Sequence, residues 1–343
     1  MLFRSIMTTS QVTVPTASSP ATEQLQNQAI AIERELSKVI VGYPDVLRGV
    51  LITLLAGGHA LLEGAPGLGK TLLVRTLAQV LDLSYSRIQC TPDLMPSDML
   101  GTNVLLATDS GERRFEFQSG PVFANLILVD EVNRAAPKTQ SALLEAMQEH
   151  TVTIGTRAYP LPRPFFVIAT QNPIEMTGTY PLPEAQLDRF LFKLKVEFPS
   201  AAHLSEILTR TTTTWEPTVE HVTDGESLIE MQRVARDLLI ASHIMDYAAR
   251  LVMATHPRLP GAPEAVRQYV RYGASPRAAQ GLVLAAKMNA FLSGRLNVSF
   301  DDVRQVAPAA LRHRVILNVE AEVAGMESDT VVETVLKHVA EEP

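Results

Sequence analysis

Cysteine is nearly absent: Cys90 is the only one in 343 residues. An internal disulfide is thereby excluded, and so is a zinc cluster of several thiolates. The eight histidines are scattered without a His-x-x-x-His pair. A structural metal is not expected, and a reduced, cytoplasmic setting is. Cationic excess is missing too. Thirty Lys and Arg against 37 Asp and Glu leave a net charge of −7. That balance tilts away from duplex nucleic acid as the main partner, because neutralising phosphates needs a basic face. No window approaches the ~18 apolar residues that cross a bilayer, so no membrane span is expected. The stretches His59 to Leu62 and Leu126 to Val129 are apolar but soon broken by charge. Met1 to about Pro20 is rich in Ser, Thr, Ala and Pro, without the apolar stretch or cleavage site of a signal peptide, and reads as a flexible leader.

What is present suits a globular chain of two unequal domains, with 46% hydrophobic and 20% charged residues. Helical patterns run from Thr22 to Lys38 and from Pro44 to Ala56, with the apolar run Val39-Ile40-Val41 and a turn at Gly42-Tyr43 between them. Ala60-Leu61-Leu62 reads as a short strand, and Thr71 to Leu81 as a helix with Leu72, Leu73, Leu77 and Val80 on one stripe. Further strands are expected at Tyr85 to Cys90, Leu126 to Val129, Phe165 to Thr170 and Phe190 to Val196. Each is nearly continuous in apolar character, as in parallel strands buried on both faces. Two alternating stretches, Gly101 to Gln118 and Thr151 to Leu161, read as hairpins turning at Thr108-Asp109-Ser110-Gly111 and Gly155-Thr156-Arg157. After Phe198-Pro199-Ser200 only helical patterns remain: Ala201 to Thr212, Glu226 to His243, Met245 to Thr255, Pro276 to Ser293, Phe300 to Leu317 and Asp329 to Glu341. The division expected is a leader at 1–21, an α/β core at 22–199 and a helical domain at 200–343.

Gly64-Ala65-Pro66-Gly67-Leu68-Gly69-Lys70-Thr71 matches G-x-x-x-x-G-K-[ST] completely, with a strand before and a helix after. The glycines let successive backbone N–H groups turn inward on a phosphate, and the helix adds its positive end, next to which Leu72 also lies. Lys70 is expected to reach the β- and γ-phosphate oxygens of ATP, and Thr71 to ligate Mg²⁺. The strand Leu126-Ile127-Leu128-Val129 ends in Asp130-Glu131. Side chains diverge at a strand end, so Asp130 can hold the magnesium shell while Glu131 polarises the attacking water. A merely solubilising strand end is the plainer reading of the pair standing alone.

The strings Glu-Gly-Ala-Pro-Gly-Leu-Gly-Lys-Thr at 63–71, Asp-Glu-Val-Asn-Arg-Ala-Ala-Pro-Lys at 130–138, Ala-Thr-Gln-Asn-Pro at 169–173, Leu-Pro-Glu-Ala-Gln-Leu-Asp-Arg-Phe at 182–190 and Ser-Pro-Arg at 275–277 resemble the MoxR family of AAA+ ATPases, from about Gln24 to Ala340. The resemblance implies a P-loop core on a parallel five-stranded sheet with inserted β-hairpins, a helical lid, ring assembly (usually as a hexamer) and chaperone-like remodelling of protein clients. A partner bearing a von Willebrand factor A domain often accompanies the family. Carried over residue by residue, Asn172 matches the first sensor, though an Asn before Pro also starts turns. Arg189 matches the arginine finger that stabilises charge on the transferred phosphoryl, against a plain surface Arg beside Asp188. Arg277 matches the lid's sensor of the γ-phosphate. It is expected in the first turn of a helix capped by Ser275 and opened by Pro276, where a lone cation is disfavoured and an anion is called for. Arg134 either faces a neighbour's nucleotide or caps the next helix. The segment Val39-Ile40-Val41, with Val41 nearest the turn, falls where such ATPases rest the adenine, against an ordinary buried turn. The hairpins resemble the helix-2 insert and pre-sensor hairpin that line or rim a pore, against structural trim with no partner contact.

Two rival motors share this fold: a metal-chelatase subunit, which needs a partner to handle metal and porphyrin, and a DNA-acting motor, which the acidic balance disfavours. A nucleotide-gated scaffold without turnover sits poorly with an intact Asp130-Glu131 and Arg189. No residue identifies the client.

Overall fold

The computed structural model describes residues 20–107, 113–173, 178–214 and 217–341. The leader at 1–19 and the turn of the first hairpin lie outside them. Helix α1 (Pro20–Val39) starts with the last two residues assigned to the leader and buries Ala29, Ile32, Leu36 and Val39, the stripe that three- and four-residue spacing gives. Gly42, at φ +83°, turns the chain into α2 (Pro44–Leu55), apolar on nearly every side and buried accordingly.

The α/β layer alternates as expected. It runs through β1 (Ala60–Glu63), α3 (Lys70–Val80), β2 (Tyr85–Gln89) and α4 (Pro96–Leu100). The first hairpin, β3 (Gly101–Ala107) and β4 (Arg113–Ser119), precedes β5 (Leu126–Asp130) and α5 (Pro137–Glu149). The second, β6 (Thr151–Ile154) and β7 (Arg157–Pro160), precedes β8 (Phe166–Gln171), α6 (Glu184–Leu187) and β9 (Phe192–Lys195). The sheet order is β2-β5-β8-β1-β9, all parallel. Every P-loop-side strand end therefore lies at one edge of the layer. The hairpins stay outside the sheet and touch each other through Phe117 stacked on Tyr159 at 4.0 Å.

Alternate strand residues feed two apolar clusters. Leu62, Leu128 and Ile168 face α1, α2 and α3, while Leu61, Val129 and Val167 face α5. Two details differ from the sequence reading. β2 is an edge strand in which only Ile88 is buried, so it is not covered on both faces. Leu72 is 45% exposed, and the buried stripe of α3 is Leu73, Val74, Leu77 and Val80.

The remainder is helical with one exception. Helices α7 (Ala201–Thr211), α8 (Gly225–Arg236), α9 (Ser242–Ala254) and α10 (Glu264–Tyr269) lead to the short strand β10 (Val270–Tyr272). Then come α11 (Pro276–Leu292), α12 (Phe300–Leu311), β11 (Ile316–Leu317), α13 (Val319–Val323) and α14 (Ser328–His338). The β10–β11 ladder, α10 and α13 were not anticipated. The expected helix over Glu226 to His243 stops at Arg236, and the one over Phe300 to Leu317 stops at Leu311. Residues from α8, α9, α11, α12 and α14 join the same apolar cluster as α1 to α3. The change at 199/200 is thus one of element type, with apolar packing continuous across it.

Candidate functional site

The P-loop joins β1 to α3. A Cβ at Gly64 would sit 2.5 Å from the Val196 carbonyl oxygen, so the residue has to be glycine. Gly67 and Gly69 hold φ of +82° and +78°, the left-handed region that side chains disfavour. Both have open space where a side chain would be. Gly69 is the N-cap of α3, whose first turn carries no acidic residue, so the helix turns its free N–H groups and positive pole toward the loop. Thr71 and Leu72 are exposed beside it. Lys70 Nζ donates to the Gly64 carbonyl at 2.6 Å. Burial lowers its pKa, and the nearby charges of Asp130, Glu131 and Glu63 oppose that shift.

Asp130 and Glu131 end β5, beside the P-loop. Asp130 Oδ1 accepts from Thr170 Oγ1 at 2.6 Å, and Oδ2 from Arg87 Nη2 at 2.7 Å. Thr170 also accepts the Glu131 backbone N–H at 2.9 Å. Glu131 itself sits at φ +55°, a conformation that a non-glycine residue adopts at a cost and that recurs at functional sites. This kink turns its carboxylate away from that of Asp130, where Oε2 accepts from Gln89 Nε2 at 3.1 Å and Arg134 Nη1 at 3.0 Å. Asn172 follows β8 directly and is buried. Lys70, Thr71, Asp130, Glu131 and Asn172 therefore converge on one edge of the sheet.

An apolar niche beside the loop is lined by Ile40, Tyr43, Leu68, Leu73 and Val196 among others. Val41 is buried and does not line it, while Ile40 of the same apolar segment and Tyr43 do. A second cleft of about 770 Å³ lies between α2, β9 and the lid helices, remote from the phosphate loop apart from Tyr43 and Val46.

Arg189 and Arg277 lie elsewhere. Arg189 precedes β9 and so sits at the sheet edge opposite the P-loop, exposed, with Nη1 donating to Leu144 O at 3.0 Å. Arg277 opens α11 as expected, next to Pro276, with Ser275 in the N-cap position. The Ser275 hydroxyl does not cap the helix: it donates to the Asp188 carboxylate at 3.0 Å, and Arg277 stands 3.8 Å from the same group. Hence Arg277 lies beside Arg189 and is not folded over its own chain's Lys70, because α11 docks on the strap that enters β9. Arg134 contacts Glu131 of its own chain, and the N-cap position of α5 falls to Ala136.

Four residues around this set were not singled out from sequence. Thr170 is a buried polar residue just after the apolar run 166–169 of β8, one place beyond the Val129–Ala169 pair. Arg87 and Gln89 share one face of β2 by their spacing of two, a signal hidden by reading that strand as plain core. Arg314 is buried, and its binding of Asp188 across 126 residues leaves no local signal.

The profile of the "ATPase family associated with various cellular activities (AAA)" matches residues 59–192, and that of the AAA lid domain matches 262–335. Chaperone MoxR1 of Mycobacterium tuberculosis is 43% identical over 93% of this chain and 84% of its own length. Protein MoxR of Methylorubrum extorquens is 32% identical over 85% of this chain and 88% of its own. The crystal structure of a candidate ATPase from Cytophaga hutchinsonii superposes with a TM-score of 0.87 at 43% identity, covering 93% of this chain and 96% of that one. With a complete P-loop, a paired Asp130-Glu131 at the same end of the sheet two strands away, and relatives matching along nearly its whole length, the chain belongs to the MoxR family of AAA+ ATPases.

Proposed function

We propose that this chain hydrolyses ATP as one subunit of a closed ring and uses the energy to remodel protein clients. The observation that carries the reading is the split of the charged set. Lys70, Asp130 and Glu131 stand at one end of a parallel sheet, and Arg189 and Arg277 at the other. The four residues of β1 alone put about 13 Å between the two ends. A finger that cannot reach its own P-loop has to serve the next copy, and head-to-tail contacts of that kind form a ring when their rotation closes, which is the outcome the family resemblance leads us to expect. A hexamer is the size we expect from the resemblance.

The residues fit the nucleotide. The open faces of Gly67 and Gly69 and the start of α3 suit phosphates, and Lys70 needs only to leave the Gly64 carbonyl to meet them. Thr71 and Asp130 would hold Mg²⁺, which neutralises charge on the β- and γ-phosphates. Asn172 and Glu131 orient the attacking water, and Glu131 takes its proton as the new oxygen–phosphorus bond forms and the bond to the β-phosphate oxygen breaks. ADP and phosphate leave. For Glu131 to do so its carboxylate must be released from Gln89 and Arg134. Arg189 and Arg277 then stabilise charge in the neighbour's site.

The exposed Leu105, Leu106 and Phe115 of the first hairpin offer apolar contacts to a client. That fits the chaperone named among the relatives. A partner with a von Willebrand factor A domain, and a cytoplasmic setting, belong to the same reading. No described helix is long and apolar enough to cross a membrane.

Turnover per chain, measured across a dilution series alongside mass by light scattering, tests the proposal. It should rise with assembly for the native protein and stay near zero at all concentrations for Arg189→Ala. Constant turnover down to isolated single chains would refute it.

A further inference from the structure

The strap Asp188-Arg189-Phe190-Leu191 carries the finger, and the lid holds it by polar bonds from two separate segments. Arg314, just after α12, is 7% exposed and uses all five of its N–H groups. Nε donates to Asp188 Oδ1 at 2.7 Å, Nη2 to the carbonyls of Asp188 at 3.0 Å and Phe190 at 2.7 Å, and Nη1 to those of Leu191 at 3.0 Å and Ala310 at 2.6 Å. His313 Nε2 pairs with the Phe190 carbonyl at 3.0 Å. From the start of α11, Ser275 binds the Asp188 carboxylate and Arg277 approaches it. The backbone is thereby gripped on both sides of residue 189. The Arg189 side chain, by contrast, has one described hydrogen bond, to α5, and is otherwise exposed.

A fastener between lid and core needs only one ion pair or apolar packing, and apolar packing is already continuous there. A fork that closes four bonds on the strap, three of them on the carbonyls of Asp188, Phe190 and Leu191 around one exposed arginine, does something more specific. It ties the place of that arginine to the orientation of the lid. A lysine could replace the charge of Arg314 but not the fork, because its three donors radiate from one point.

We infer that Arg314, with Asp188 and Ser275, is a positioning device for Arg189, so that the lid of one subunit sets the finger offered to the next. Arg277 shares the Asp188 carboxylate, so its departure toward a neighbour's phosphate alters the charge that holds the same strap. The inference rests on the trans-acting role of Arg189 proposed above.

Complementation separates the two. Arg314→Lys should bind ATP within about twofold of native, since its own P-loop is untouched, yet turn over up to about 100-fold more slowly, the loss expected from a misplaced catalytic group. Mixed with Lys70→Ala, which supplies an intact strap and finger, it should regain activity. Mixed with Arg189→Ala it should not, because neither chain then offers a held finger. Ser275→Ala, which removes one hydroxyl at a half-buried site, should behave the same way with a several-fold loss and decides the matter if Arg314→Lys does not fold. Recovery with Arg189→Ala, failure to recover with Lys70→Ala, or native turnover in Ser275→Ala where Arg314→Lys is unfolded would overturn the inference. If the control mixture of Lys70→Ala and Arg189→Ala is itself inactive, the trans role of Arg189 is what fails.

Discussion

Thr170→Val removes a single oxygen from the P-loop end of the sheet while keeping the shape of the side chain. The Thr170 hydroxyl is 1% exposed, donates to Asp130 at 2.6 Å and accepts the Glu131 N–H at 2.9 Å. Valine fills the same volume, so no cavity term enters. What is lost is a hydrogen bond to a charged carboxylate, about 1.5–3 kcal/mol, and a partner for a part-buried N–H, about 1–3 kcal/mol. We expect a destabilisation of about 3–5 kcal/mol, read as a shift in the urea midpoint. Function should suffer separately, because Asp130 would keep only Arg87 to orient it. The Mg²⁺ concentration for half-maximal ATP turnover should rise about 10- to 100-fold, as when a group supporting a metal ligand is lost. Thr170→Ser should restore most of it. An unchanged Mg²⁺ titration in Thr170→Val would refute the assignment of Asp130 to the metal through this contact.

Lys70→Ala should abolish ATP binding, measured by fluorescent-nucleotide titration, because the loop loses its one cation. Glu131→Gln should bind ATP normally but lose about 10²- to 10⁴-fold in turnover, the range for removal of a general base. Turnover at the native rate would reject that role. Acid should destabilise the fold between pH 6.5 and 4. Burial pushes His59 down to about 4 and His313 well below its usual value, so the unfolded chain takes up protons first. That stability is complete above the unfolded pKa of 6.5 and is lost as pH falls through the window. His59 alone should cost about 2 kcal/mol between pH 7 and 5 in denaturant titrations.

The phosphate-binding half of the site was legible because its chemistry is local. Eight consecutive residues from Gly64 to Thr71 bring their own turn, donors and helix end, and Asp130-Glu131 closes an apolar strand with two charges. The strand sequence also fixed which side chains face which layer, since the period of two survives in runs as short as Leu126–Asp130. What was not legible depends on contacts distant along the chain. Nothing local places the start of α11, with Ser275 and Arg277, on Asp188, 89 residues before Arg277 in the chain. Val41 and Ile40 are adjacent in an apolar run, and nothing local says which one lines the niche. β2 looks apolar by composition, yet its edge position turns Arg87 and Gln89 into partners of the two acids. The β10–β11 ladder escaped notice because two or three residues are too few for a period to register.

If the P-loop end of one chain meets the Arg189 end of another, a crosslink can join the two ends. Cys90 is buried with its thiol pushed up to about 12, so it is an inert background for thiol chemistry. A chain carrying both Leu72→Cys and Arg189→Cys exposes one thiol at each end of the sheet, too far apart for a short bis-maleimide to join within one chain. With ATP present a ladder of covalent oligomers should form, its last rung counting the copies in the ring, and neither single variant should give one. Chains that remain monomeric after crosslinking, at concentrations where light scattering shows assembly, would contradict it.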